Sequence, residues 1–241
     1  MVVGVREIEF ERDEMALAIV VPILGPPAVG KTTLTLRLGA DPRRMTFRLR
    51  EHVPVDDLAA TTSAADRLGW LPDSIVEPAI RGFLERTADN DLLDTVLLDN
   101  FPGTPEQVGM LVTVLADIAP RCALEPVELE LGERARVRRA ERRRVCHHCE
   151  QDPIADPRMP ADRVASRPWT CARCGGLLHP RRGDAPSLFA ARSRRHSDST
   201  VTIREAFTRL GHPVTTLDAD QEPAFLAARV EPMLISRSKA V

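Results

Sequence analysis

The stretch Gly25-Pro26-Pro27-Ala28-Val29-Gly30-Lys31-Thr32 constrains this chain more than any other feature, because it fits the pattern G-x-x-x-x-G-K-[ST]. Its flanks are the ones that pattern requires. Residues 17–24 form a short apolar run, rich in β-branched side chains, that reads as a buried parallel strand. Beyond Thr32, the leucines Leu34, Leu36 and Leu38 with intervening polar residues suit a helix that ends at residues 39–42. Glycines let the backbone curl until its N–H groups converge, and the helix N-terminus adds partial positive charge, so the loop is built to cradle phosphates. Lys31 would bring a full charge to the outermost phosphate, and the Thr32 hydroxyl, followed by Thr33, would ligate magnesium. Lys31 and Lys239 are the two lysines of the chain, which makes a lysine at the motif's key position weigh more.

The remaining pattern extends an α/β architecture. Helical spacing at Ile75, Ile80, Phe83 and Leu84 leads to a strand at residues 95–98, with Asp99 directly after it. An acid at that place is the natural second ligand group for a magnesium shell. Residues 108–118 read as a helix, 124–131 as a strand, 201–210 as a helix, 212–217 as a strand and 222–234 as a closing helix; a further helix is expected near 55–68. Strands alternating with helices predict a parallel sheet with helices on both faces, the P-loop NTPase type.

Charge is uneven. The net charge is −2, yet residues 134–195 hold sixteen arginines against six acids. Planar paired donors on that scale favour a triphosphate or a polyanion as ligand. Inside this region lie Cys146, Cys149, Cys171 and Cys174, two C-x-x-C pairs at the spacing of a two-knuckle tetrahedral zinc site. Four thiolates leave no open coordination position, so the zinc is expected to be structural. His147 and His148 are expected to face outward, and Cys122 to be a buried core thiol. The Pro- and Gly-rich character of residues 153–186 fits a small module that needs a staple. No aromatic residues alternate with these arginines as stacking platforms, Trp169 being an isolated ring among them, which speaks against a nucleic-acid surface built on base stacking.

A phosphate loop joined to a zinc-stapled, arginine-rich segment resembles the adenylate kinase family of nucleoside monophosphate kinases, in the form whose lid carries four cysteines. The resemblance runs from Gly25 to about Leu234. It is carried by the phosphate loop, Leu71-Pro72-Asp73-Ser74-Ile75-Val76, Leu97-Leu98-Asp99-Asn100-Phe101-Pro102, Gln107, Arg143-Arg144-Val145-Cys146 and the span from Arg181 to Arg192. It implies a charged leader at 1–14, a kinase core at 15–133 and 193–236, an acceptor-binding insertion at 44–75, a zinc-binding lid at 134–192 and a tail at 237–241. It also implies ATP with magnesium as donor, transfer of the terminal phosphoryl group to a nucleoside monophosphate, Arg139, Arg143, Arg181 and Arg192 as the phosphate clamp, and Gln107 reading a base edge. The partners expected are small-molecule nucleotides, for a monomeric cytoplasmic protein. The longest apolar run, residues 15–24, is about half of what spans a bilayer, and no secretory signal opens the chain.

The acceptor side departs from the family. Where the family has phenylalanine-proline-arginine, this chain has Phe101-Pro102-Gly103, and its threonine-glycine-aspartate segment is replaced by Phe47-Arg48-Leu49-Arg50-Glu51-His52. The loop has Thr32 where adenylate kinases usually have glycine. Each charge-assisted phosphate contact is worth about 1.5–3 kcal/mol, so two missing arginines change the acceptor unless Arg48 or Arg50 replaces them. Three alternatives follow: a kinase acting on a non-nucleotide metabolite, a nucleotide-binding sensor or scaffold without turnover, and a nucleic-acid-binding zinc module fused to an ATPase.

Overall fold

The computed structural model describes residues 17–58, 71–151, 157 and 159–238. The leader, most of the helix expected near 55–68, and the last three residues lie outside them. The first strand, β1 (Ile19–Leu24), is buried along its whole length, as its unbroken apolar sequence requires when both sheet faces are covered. Around it stand β2 (Arg44–Phe47), β3 (Thr95–Asp99), β4 (Ala123–Leu124), β5 (Val127–Glu130) and β10 (Thr215–Asp218). The sheet order is β10-β5-β1-β3-β2, with β4 also pairing β1, and every pairing is parallel.

Helices cover both faces of the sheet. One cluster packs Val20, Phe47, Val96 and Leu98 against helix α2 (Asp73–Ala88), helix α3 (Pro105–Ile118) and Phe207 of helix α5 (Pro186–Arg209). The other packs Val21, Ile23, Leu97 and Leu129 against Leu34 and Leu38 of α1 (Lys31–Leu38) and Val230 of α6 (Pro223–Ser238). An α/β parallel sheet flanked by helices is thus the fold, as the P-loop pattern predicts. No helix among the described residues is long and apolar enough to cross a membrane.

Several boundaries differ from the sequence reading. Residues 44–47, taken as part of an insertion, form the edge strand β2, which the buried Arg44 ties to the opposite side of the core. Its guanidinium donates to Glu231 at 2.8 and 2.7 Å and to the Leu38 carbonyl at 3.0 Å. The strand expected over 124–131 breaks into β4 and β5. The helix expected at 201–210 is the last part of the 24-residue α5, which begins beside the arginine-rich segment and runs back onto the core. Cys122 is half-buried against the core edge rather than enclosed; burial of the thiol still pushes its pKa up to about 12.

The arginine-rich segment opens with helix α4 (Glu133–Arg142). Two small antiparallel pairs follow: β6 (Arg144–Val145) with β9 (His179–Pro180), and β7 (Arg163–Val164) with β8 (Arg167–Cys171). Among the described residues its own core is small, consisting of Cys146, Cys171 and Leu178 with Cys149 and Ala161 at the edge. So little apolar burial cannot hold a module of this size, and the cysteines lie where the missing stability is needed.

Candidate active site

Parallel strands deliver their C-terminal ends to one edge of the sheet, and the loops leaving that edge line a cleft of about 1070 Å³. The loop after β1 forms its floor. Gly25 and Gly30 have φ of 134° and 117°, and Ala28 sits at 62°. A Cβ on Gly25 would stand 2.5 Å from the Leu129 carbonyl oxygen, so both the backbone angle and the contact demand glycine. Gly30 is the N-cap of α1 and contributes no side-chain cap, which leaves the helix's first amides directed toward the loop's concave side.

Lys31 is folded into this loop. Its Nζ donates to the carbonyl oxygens of Gly25 at 2.5 Å and Pro26 at 3.0 Å. Burial of the amine pulls its pKa down to about 7; Asp99 opposes the fall, and the charges of Arg192, Arg143 and Arg181 add to it. Lys31 is therefore surrounded by like charge that an anion in the cleft would compensate.

Those arginines reach the cleft from the zinc-type module and α5. Arg143, the residue after α4, makes a two-pronged pair with Asp184, its Nε and Nη2 donating to the two carboxylate oxygens at 2.6 Å each. Arg181 and Arg192 approach the same carboxylate at 3.9 and 3.8 Å, and Arg192 also donates to the Gly183 carbonyl at 3.0 Å. With a side chain only 3% exposed, Asp184 is the buried hub of three guanidinium groups. Burial and the neighbouring Arg181 bring the Arg192 pKa down to about 10. Arg139 takes a different place: it donates to Val29 of the phosphate loop at 2.9 Å and to Ala219 after β10 at 2.8 Å, bolting the loop to the far edge of the sheet.

On the opposite side, Asp99 ends β3 beside the loop, with a side chain 5% exposed; Arg48 Nε donates to it at 3.3 Å. Gln107 lines the cleft but is buried and committed. Its Nε2 donates to Asp73 at 3.0 Å, its Oε1 accepts the Gly103 amide at 2.9 Å, and its own backbone amide is capped by Thr104 at 3.2 Å. Below these residues His52 stacks on Phe47, with ring centroids 5.1 Å apart and planes 7° apart. Burial lowers its pKa.

Three features of the cleft escaped the sequence reading: Asp184, Glu128 and His196. Glu128, buried on β5 beside Leu24, accepts from Thr200 at 2.8 Å and from Arg204 at 3.0 and 2.6 Å, anchoring α5 over the loop. Burial and then the Lys31 charge depress the His196 pKa to about 4, so this ring is neutral at physiological pH.

The four cysteines converge. All four Sγ atoms lie within 4.8 Å of one another, with Cys146 and Cys174 at 3.5 Å and Cys149 and Cys171 at 3.7 Å. A tetrahedron of sulfurs bonded to zinc at about 2.3 Å has edges near 3.8 Å, so this donor set fits the metal. Backbone amides of Cys174 and Arg173 aimed at Cys171 lower its pKa to about 7, while hydrogen bonding among the crowded sulfurs pushes that of Cys149 up to about 12, so the four thiols share their protons. His147 and His148 are exposed, as expected.

Comparison with known proteins found no matching family model. Curated relatives do match over most of the chain. An adenylate kinase of Symbiobacterium thermophilum is 29% identical over 224 residues, covering 86% of this chain and 98% of the relative. An adenylate kinase of Salinispora tropica is 29% identical over 189 residues, covering 75% and 82%. That of Caldicellulosiruptor saccharolyticus is 27% identical over 205 residues, covering 83% and 91%.

Proposed function

We propose that this chain, a divergent relative of the adenylate kinases with a four-cysteine cluster that fits a zinc lid, is an ATP-dependent phosphotransferase that passes the terminal phosphoryl group of ATP to a nucleoside monophosphate or a related small acceptor. The observation that carries the reading is the convergence of Arg143, Arg181 and Arg192 on the side of the cleft facing Lys31. Four cations held around one cleft, with an amine already pushed toward neutrality, favour a multiply charged anion between them.

In this reading the amides of residues 28–33 hold the donor's phosphates, and Lys31 leaves its two carbonyl partners for the outer phosphate oxygens. Thr32 and Asp99 would hold magnesium, which when bound neutralises and orients the phosphates. Arg139 and Ala219 wall the donor end, and Arg143, Arg181 and Arg192 neutralise charge on the group in flight. The bond from the terminal phosphorus to its bridging oxygen breaks as a bond to an acceptor oxygen forms, and the bridging oxygen leaves with the diphosphate. Positioning and charge neutralisation suffice, with no covalent enzyme intermediate. Closure of the arginine-bearing module keeps water from taking the acceptor's place.

The test is incubation of the zinc-replete protein with magnesium–ATP and a panel of nucleoside monophosphates, with products read by mass. Formation of ADP together with a nucleoside diphosphate supports the reading. Nucleotide binding without any transfer would favour a sensor or scaffold instead.

A further inference from the structure

A second recess opens from the wall of the cleft, between the turn that starts α3 and the middle of α5. It is a shallow, open recess of about 530 Å³ that shares Gly103, Arg195 and Ser199 with the main cleft. Gly103 contributes no side chain to it, and its backbone amide is already spent on Gln107. Thr104 is better placed: its hydroxyl oxygen accepts the Gln107 amide, so the hydroxyl proton remains to be donated elsewhere. From α5 come Arg194, Arg195 and Asp198, two guanidinium groups against one carboxylate. Arg195 is half-buried and lines both spaces, whereas Arg194 and Asp198 are exposed.

The recess also lies at the right place along the reaction path. His196, adjacent to Arg195, is close enough to Lys31 to feel its charge, and Arg50, on the same cleft, is close enough to Arg192 to do likewise. Arg195 lines the same cleft as Lys31 and the phosphate loop, so a group held by Arg195 faces the space in which a donor on the loop would lie. Phosphate suits this surface better than carboxylate, since a doubly charged group rewards two planar fork donors and a hydroxyl together.

We propose that Arg195, assisted by the Thr104 hydroxyl, grips the anionic phosphate monoester of the acceptor in the recess beside Gly103, and so restricts the enzyme to phosphorylated acceptors. This rests on the phosphotransferase reading above. It assigns the acceptor grip to α5, an element that the sequence pattern left outside the binding machinery.

The test is calorimetric. The full-length, zinc-replete protein is saturated with magnesium and a non-hydrolysable ATP analogue, then titrated with AMP, CMP, GMP and UMP. At least one monophosphate should bind, and Arg195→Gln should weaken that binding about 10- to 100-fold. Affinity for the ATP analogue and the melting temperature should stay as in the parent protein. If Arg195→Gln does not fold, Arg195→Lys should show the same loss in smaller measure, because an ammonium cannot form the paired contact. Undiminished monophosphate binding in the folded variant would overturn the assignment, and so would analogue binding with no monophosphate binding at all. Failure of the analogue itself to bind would bring down the phosphotransferase reading on which the assignment depends.

Discussion

The two ends of the cleft are built on different principles. At the loop end cationic side chains gather and tie separate elements together: Arg139 joins α4 to Val29 and Ala219, Glu128 holds α5 through Arg204, and Asp184 gathers three arginines. At the other end the polar groups are paired off with one another, Arg48 with Asp99 and Gln107 with Asp73 and the Gly103 amide, while His52 stacks on Phe47. A site that concentrates guanidinium groups and an amine along one wall of a cleft favours a ligand of high negative charge. A site whose polar groups satisfy one another leaves recognition to a few residues on its margin, and its specificity can change while the rest of the machinery stays in place.

Removing the loop cation should have the largest effect. Lys31→Ala should lower kcat/KM for transfer by at least about a hundredfold, measured by coupled assay, with the fold retained. Retained activity would show that the loop end is not the donor site. Chelating the metal, or Cys146→Ser, comes next, since structural zinc contributes on the order of 10 kcal/mol to small metal-held modules. We expect a clear drop in melting temperature with loss of transfer, read by calorimetry alongside metal analysis; unchanged stability with no bound zinc would contradict the staple.

Asp184→Asn probes the hub more narrowly. It strips a buried carboxylate from three arginines, and breaking such a pair costs roughly 3 kcal/mol, or about 6–12 °C of melting temperature for a chain of this size. Because a bound triphosphate would replace the missing negative charge, ATP should recover more stability in this variant than in the parent. Gln107→Leu should have the smallest effect on the donor. It leaves Asp73 and the Gly103 amide without their partner, at about 1–3 kcal/mol, and should weaken acceptor binding while ATP affinity stays within twofold. A comparable loss of ATP affinity would erase the distinction between the two ends.

What the sequence revealed divides along another line, between patterns local in the chain and contacts made only by the fold. The phosphate loop, β1 and the cysteine pairs are local patterns, whose residues are neighbours in the chain, and they were legible. The N-terminal half of α5 was not: Ser193-Arg194-Arg195-His196-Ser197-Asp198 has no apolar period, because this stretch faces the cleft and solvent rather than a core. Strand β2 hid for a related reason, since at a sheet edge Arg44 is buried by an ion pair and Met45 is exposed. Asp184 read as one acid opposing many arginines; only the fold shows that Arg143, 41 residues away, pairs with it. Strand β5 reads Val127-Glu128-Leu129-Glu130, an alternation that suggests two exposed glutamates, and Glu128 is buried because its partner Arg204 lies 76 residues downstream.

The central claim is that a triphosphate occupies the space between Lys31 and the lid arginines. Free Lys31 has a pKa near 7; an anion at that place must raise it, so binding takes up protons around pH 7–8 and affinity falls as pH rises above 7. Titrating magnesium and a non-hydrolysable ATP analogue into the zinc-replete protein at pH 7.5, in buffers of different ionisation enthalpy, measures both quantities at once. The account predicts saturable binding with net proton uptake that disappears in Lys31→Ala. Absence of binding, or binding with the same proton uptake in Lys31→Ala, would contradict it.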